Sequence, residues 1–143
     1  MSDAVVLDTS AIFTFSQLEQ GEEIVSGYLD DAVEGRVELH ASFVTLAELE
    51  YMTTQRHGAA RAQHFLRDVK TWPIRWHHSD EALCSSAAKL KAAHKISFAD
   101  SFVAALAQRL DATLVHKDPE FAALADVVKL HALPPKSGPG QMA

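Results

Sequence analysis

Two rhythms of apolar and polar positions run along the chain. Ala4 to Leu7 is a short apolar run closed by Asp8-Thr9-Ser10, which predicts a buried strand, and Ala11 to about Ser16 begins a helix. Ile24, Val25, Tyr28, Leu29 and Val33 recur at helical spacing, and Gly35 closes that helix. Val37 to Ala41 is a second strand followed by a polar cap. Val44 to about Arg56 reads as a helix ending near Gly58, and Ala59 to Lys70 as another. Trp72 to Trp76 is a weaker strand interrupted by Pro73, which suits an edge. Ser79 is the expected cap of a helix reaching His94, and Ser97 of one reaching Leu110. Thr113 to Val115, a short helix over Pro119 to Leu124, and a strand over Val127 to Leu130 complete the pattern. Strands alternating with helices predict an α/β fold with a parallel sheet covered on both faces.

Composition narrows this picture. A length of 143 residues suits one domain, expected over 1–133, with the Pro- and Gly-rich stretch 134–143 as a flexible tail. Hydrophobic residues at 48% and charged residues at 22% fit a soluble globular protein. No apolar run approaches the roughly 18 residues that span a bilayer. Met1-Ser2-Asp3 lacks the basic opening of a signal peptide, and a lone Cys84 excludes an internal disulfide, so cytoplasm is the expected compartment. Cys84 itself reads as a small core residue. The net charge of −6 argues against bulk, charge-driven binding of nucleic acid, although clustered acids that hold cations also lower it. Eight histidines show no zinc-ligand spacing and read as surface or packing residues.

Four acids stand out. Asp8 follows the first strand; Glu48 closes Thr45-x-x-Glu48; Asp100 closes Ser97-x-x-Asp100; Asp118 precedes Pro119-Glu120. Each alone has a local explanation as a helix cap or capping box. Together they share an address. Helices in an alternating α/β chain start at the carboxyl edge of the sheet, so four distant carboxylates can meet there. Like charges that meet raise one another's pKa, and a divalent cation resolves the conflict. Oxygen-only ligands suit Mg²⁺ or Mn²⁺, the usual equipment for cleaving a phosphodiester. Glu50 should point off the Glu48 face, and Glu120 should support a helix start, with an outer metal role as its alternative. Lys89, Lys91, Lys95 and Arg109, with Arg56, Arg61 and Arg67, form two basic stretches, either solvated faces or a rim for phosphates.

Val5-Val6-Leu7-Asp8-Thr9-Ser10, Thr45-x-x-Glu48, Ser97-Phe98-Ala99-Asp100-Ser101 and His116-Lys117-Asp118-Pro119-Glu120-Phe121 resemble, in order and spacing, the motifs of PIN-domain ribonucleases. The resemblance covers about residues 4–131 and is strongest to the VapC toxins of toxin–antitoxin pairs. It implies a three-layer α/β/α fold with strand order 3-2-1-4-5. It implies a Mg²⁺- or Mn²⁺-dependent endoribonuclease that cleaves RNA with a metal-activated water. Asp8, Glu48, Asp100 and Asp118 would be its metal ligands and catalytic acids, with Thr9 or Ser10 as the hydroxyl beside the first. It also implies a VapB-type antitoxin as partner, with Phe13, Phe15, Leu18, Leu46 and Leu49 available to it, and a homodimer. His116 departs from the Thr or Ser common in relatives. A PIN-like module that binds RNA or protein without cutting it is the alternative. A phosphoryl-transfer domain fits less well, because Ser10 stands where a second Asp is needed.

Overall fold

The computed structural model describes residues 3–135, so the stretch 136–143 of the expected tail lies outside the described residues. Five parallel strands form one sheet: β1 (Asp3–Leu7), β2 (Val37–Ser42), β3 (Ile74–His77), β4 (Thr113–His116) and β5 (Lys129–Ala132), in the order β3-β2-β1-β4-β5. Among them run α1 (Thr9–Ser16), α2 (Glu22–Val33), α3 (Phe43–His57), α4 (Ala59–Val69), α5 (Glu81–Ala93), α6 (Phe98–Leu110) and a 3₁₀ helix over Pro119–Leu124. No helix among the described residues is long and apolar enough to cross a membrane.

Strand β1 shows why the sheet is covered twice. Val5 and Leu7 join a core with Ile12 of α1, Val25 of α2, Leu49 of α3 and Leu66 of α4, whereas Val6 joins Leu83 of α5 and Leu106 of α6. Alternate side chains therefore need opposite covers, and three layers result. Seven successive residues of α6, Ser101 to Ala107, are buried. Their small alanines let the helix lie close against the sheet and against α5. Gly58 adopts φ +91° between α3 and α4, a left-handed turn that a side chain would resist, and so permits the helical hairpin.

Several local expectations shift. Asp80, not Ser79, caps α5, accepting from the Leu83 N–H at 2.8 Å. Cys84 is exposed, because α5 turns Leu83, Ala87 and Leu90 inward and leaves the next residue facing out. The capping box over Thr45–Glu48 does not form: Ser42 caps α3, accepting from the Val44 N–H at 3.3 Å, and Thr45 is buried as the third residue of the helix. The last strand starts two residues late, since the Val127 and Val128 N–H groups are both taken by the Leu124 carbonyl in a turn. Strand β3 is an edge strand, as Pro73 predicts, but it begins at Ile74, after the proline, and not at Trp72.

Candidate active site

The carboxyl edge of the sheet assembles from its local turns. Asp8 follows β1 and caps α1; its Oδ2 accepts from the Ser10 N–H at 3.1 Å and from Ser10 Oγ at 2.5 Å. Ser10 Oγ in turn accepts from the Lys117 N–H at 2.9 Å, so one hydroxyl ties the end of β1 to the loop after β4. Asp118 lies in that loop and caps the 3₁₀ helix through the Glu120 N–H, at 2.9 Å. Ser97 caps α6 through the Asp100 N–H at 3.1 Å, placing Asp100 in the first turn. Three helix starts thus deliver three aspartates to one place, where the unpaired N–H groups of each favour negative charge.

Carboxylate oxygens of Asp100, Asp118 and Glu120 lie within 4.8 Å of one another. Asp8 and Glu48 flank this group within electrostatic reach: the charges of Glu48 and Asp118 act on Asp8, and that of Asp8 on Asp100. Glu48 is held by Thr9, whose Oγ1 donates to Glu48 Oε1 at 2.6 Å and also lies 3.2 Å from Thr45 Oγ1. Of the four acids singled out in the sequence, Asp100 and Asp118 come together, Asp8 acts electrostatically on Asp100, and Glu48 acts on Asp8. Glu120 joins Asp100 and Asp118, where the sequence favoured a helix-start role for it over an outer metal role. The Asp118–Glu120 turn carries both carboxylates toward Asp100, and a second acid two residues after a capping Asp was the available signal. Glu50 is exposed and off the site, as its helical phase requires.

Burial makes the cluster costly. Asp8 is 3% exposed and Asp100 5%. Asp8 Oδ1 and Asp100 Oδ2 are buried and find no hydrogen-bond partner among the described residues. Burial pushes Asp8 up to about 6, opposed by its two bonds to Ser10 and reinforced by the charges of Glu48 and Asp118. Asp100 is raised further, first by burial, then by the charge of Asp8 and the close carboxyls of Glu120 and Asp118. A protein gains nothing by burying carboxyl oxygens without partners unless something else binds them. Hard, all-oxygen donors facing one another fit a divalent cation, and a cation there would restore the ordinary ionisation of both aspartates.

His116, at the end of β4, is buried; its Nδ1 lies 3.0 Å from the Asp118 carbonyl and its ring packs 5.1 Å from that of Phe121. It braces the turn that presents Asp118. The other histidines are not all scattered. His40 Nδ1 and His77 Nε2 are 2.8 Å apart between β2 and β3, and His131 Nδ1 is 2.5 Å from the Tyr28 hydroxyl. Neither pair could be read from sequence spacing, because each joins residues more than 30 positions apart. Of the basic residues, Arg109 forms two bonds to Asp80, both 2.8 Å, while Arg56 stands beside the acids over the Phe13 ring. Among the apolar residues offered to a partner, Leu49 is fully buried and Phe13 is 7% exposed, whereas Leu18 is 77% exposed.

A family profile described as "PIN domain" matches residues 5–127. None of the curated proteins compared by sequence matches the chain. Solved structures do. The DNA-bound VapBC of Salmonella typhimurium matches with TM-score 0.73 at 17% identity, over 92% of this chain and 98% of that one. VapBC2 of Rickettsia felis, bound to a fragment of its promoter, gives 0.72 at 17%, over 92% and 99%. The Mycobacterium tuberculosis toxin VapC20, a sarcin–ricin-loop-cleaving toxin, gives 0.68 at 18%, over 91% and 99%. These likenesses share the order of the sheet and its flanking helices.

Proposed function

The chain belongs to the PIN-domain family, and we propose that within it the protein is a divalent-metal-dependent endoribonuclease, the toxin of a toxin–antitoxin pair. The observation that carries this reading is the pair of buried, unpartnered carboxyl oxygens on Asp8 and Asp100, facing a cluster completed by Asp118 and Glu120. Asp8, Asp100, Asp118 and Glu48 are the residues that would hold Mg²⁺ or Mn²⁺, and Glu120 is close enough to join them. A cation held there supplies a water that ionises near neutral pH and positive charge for the leaving oxygen. The chain's own part is positioning. Ser10 fixes Asp8 and the Lys117–Asp118 loop in one geometry, Thr9 fixes Glu48, and Ser97 fixes the start of α6. No side-chain nucleophile is required, and products with a 5′-phosphate and a 3′-hydroxyl are expected.

A VapB-type antitoxin is the partner this reading entails. The solved VapBC structures hold toxin and antitoxin together. Here α1, α3 and α4 enclose a groove of about 250 Å³ walled by Phe13, Thr53 and Phe65, with Arg61 and Asp68 at its rim. An antitoxin helix laid in this groove could extend an Arg or Lys to the acids, which suits a carboxylate cluster. Exposed Tyr51 on α3 and Phe98 on α6 offer apolar surface for self-pairing as a homodimer. The test of the activity is RNA cleavage titrated with Mn²⁺, with Asp8→Asn as control. Metal-dependent cleavage lost in the variant supports the reading. RNA bound but never cut would favour a binding module instead.

A further inference from the structure

Lys117 turns its cation inward. Its side chain is 7% exposed, although a lysine is almost never buried unless it is paired. Here its ammonium donates to Glu19 Oε1 at 3.3 Å and to the Gln20 carbonyl at 2.9 Å. The backbone of the same residue is also committed, since the Lys117 N–H donates to Ser10 Oγ at 2.9 Å. Ser10 lies in the first turn of α1, and Glu19 in the connection that follows this helix. One lysine is therefore fastened both to the start of α1 and to the segment beyond its end.

That segment is held against its local preference. Leu18 is 77% exposed and adopts φ +53°, a left-handed conformation that a leucine resists. Gly21 follows at φ +98°, where a Cβ would stand 2.9 Å from Pro134 Cδ. Glu19 lies between these two turns. Its other carboxyl oxygen accepts from the Gln17 amide at 2.9 Å, and that amide, turned to satisfy both neighbours, accepts from Arg56 of α3 at 3.3 Å. The chain Lys117, Glu19, Gln17, Arg56 thus joins the loop that carries Asp118 to the helix that carries Glu48.

The Asp118 loop has reason to be fastened twice. Asp118 directly follows Lys117, and its carboxylate stands among those of Asp100 and Glu120, so mutual repulsion drives the loop outward. His116 shapes the turn from within, through the Asp118 carbonyl. Ser10 gives it one point of attachment on α1, about which it could still swing. The ammonium gives it a second, and two points fix an orientation where one does not. An ammonium has no lone pair to offer a cation, so its part in the site is indirect. We propose that Lys117 is a positioning residue of the metal centre, its ammonium clamping the Asp118 loop to Glu19 and Gln20 so that the acids hold a divalent cation at full strength. The proposal rests on the metal-dependent reading above and adds a residue outside the acids that governs their affinity.

The test is calorimetry with Mn²⁺ alone, well below the melting midpoint. Lys117→Met keeps the apolar stem and should raise the Mn²⁺ Kd about tenfold, the low end of what a metal site loses with a residue that orients its ligands. The sign separates positioning from charge, because deleting a cation beside a cation site would otherwise tighten binding. Glu19→Ala should weaken Mn²⁺ to a similar extent, and the double variant no further than Lys117→Met alone, since both open one clamp. Arg109→Ala breaks another ion pair, at the opposite end of α6 from Asp100, and should leave the Kd within about a factor of two. In metal-free protein, either clamp variant should exchange the Lys117 and Glu120 amides about tenfold faster than wild type. Mn²⁺ binding that is unchanged or tighter in Lys117→Met overturns the proposal, as do losses that multiply in the double variant. An equal loss in Arg109→Ala also overturns it, because general softening would then explain the effect. Should Lys117→Met fail to fold, Glu19→Ala decides through amide exchange: faster exchange at Lys117 and Glu120 supports the clamp, and unchanged exchange refutes it. If wild-type protein binds Mn²⁺ yet cuts no RNA, the nuclease reading fails by itself and the affinities still judge the clamp. If it binds no Mn²⁺, the metal reading and this proposal fall together.

Discussion

Replacing Asp8 with Asn should stabilise the metal-free protein, and by an amount that depends on pH. Asp8 is 3% exposed and its pKa is lifted from 3.8 to about 6. The folded state thus keeps a proton that the unfolded state has lost between these values, and stability falls as pH rises through that window. The shift is worth about 3 kcal/mol, fully expressed above pH 6 and absent below about 4. Burial leaves little solvent to screen it. Asn keeps the acceptor that Ser10 uses and is as good a helix cap as Asp, so the cap contributes little to the difference. Melts in EDTA should show Asp8→Asn and wild type together near pH 4. By pH 7.5 the variant should lead by about 10 °C, given a few degrees per kcal/mol for a domain of this size. Asp100, also raised, steepens the wild-type decline in the same direction, and removing the Asp8 charge relieves it in part. With Mn²⁺ the ranking should reverse, because wild type gains binding energy that the variant cannot. A difference in midpoint that does not change with pH, or a variant less stable at pH 7.5 without metal, would refute the electrostatic reasoning.

Other consequences can be checked with the same material. Mn²⁺ at a hundredfold excess over its Kd should raise wild-type stability by about 2.7 kcal/mol, and an unchanged midpoint would remove the cation site from the argument. Asp100→Asn should retain the circular dichroism of wild type yet cleave no RNA; turnover at the wild-type rate would take Asp100 out of the ligand set. Ser10→Ala deletes the 2.5 Å bond that holds the Asp8 pKa down, so its pKa should rise above about 6 and Mn²⁺ should bind more weakly at pH 6, as calorimetry would read. Leu18→Asp, at an exposed position beside α1, should weaken a co-expressed antitoxin in pull-down while leaving the melting midpoint in place.

The fold was legible wherever a residue's burial followed from its own helix or strand. The run Val5-Val6-Leu7 reads as a strand covered on both faces because each side chain is apolar, and both covers exist. Legibility failed at element ends, where two polar groups compete for one orphan N–H. Ser42 and Thr45 are both credible caps for α3, and Ser79 and Asp80 for α5. The outcome depends on where the preceding strand releases the chain. Val127 looks like strand by composition, but the Leu124 carbonyl had already bound its N–H in a turn.

The site was legible for a different reason. Its three aspartates sit at the starts of α1, α6 and the 3₁₀ helix, which lie at the carboxyl edge of the sheet, so position in the chain stood in for position in space. That reasoning reaches carboxylates attached to the ends of elements and stops there. For Glu120 the sequence favoured a helix start over an outer metal role, because its place depends on how Asp118 folds the chain back through the Glu120 N–H. Ser10 could be seen as a neighbour of Asp8, but its link to the Lys117 N–H crosses 107 residues and has no sequence trace. That link has an energetic consequence. Two donors from Ser10 lower the pKa of an aspartate that burial and its neighbours raise, so the hydroxyl keeps Asp8 nearer the ionised form a cation needs while fixing the loop that brings Asp118. The same residue thus sets the charge of the cluster and its geometry, and substituting it should disturb both together.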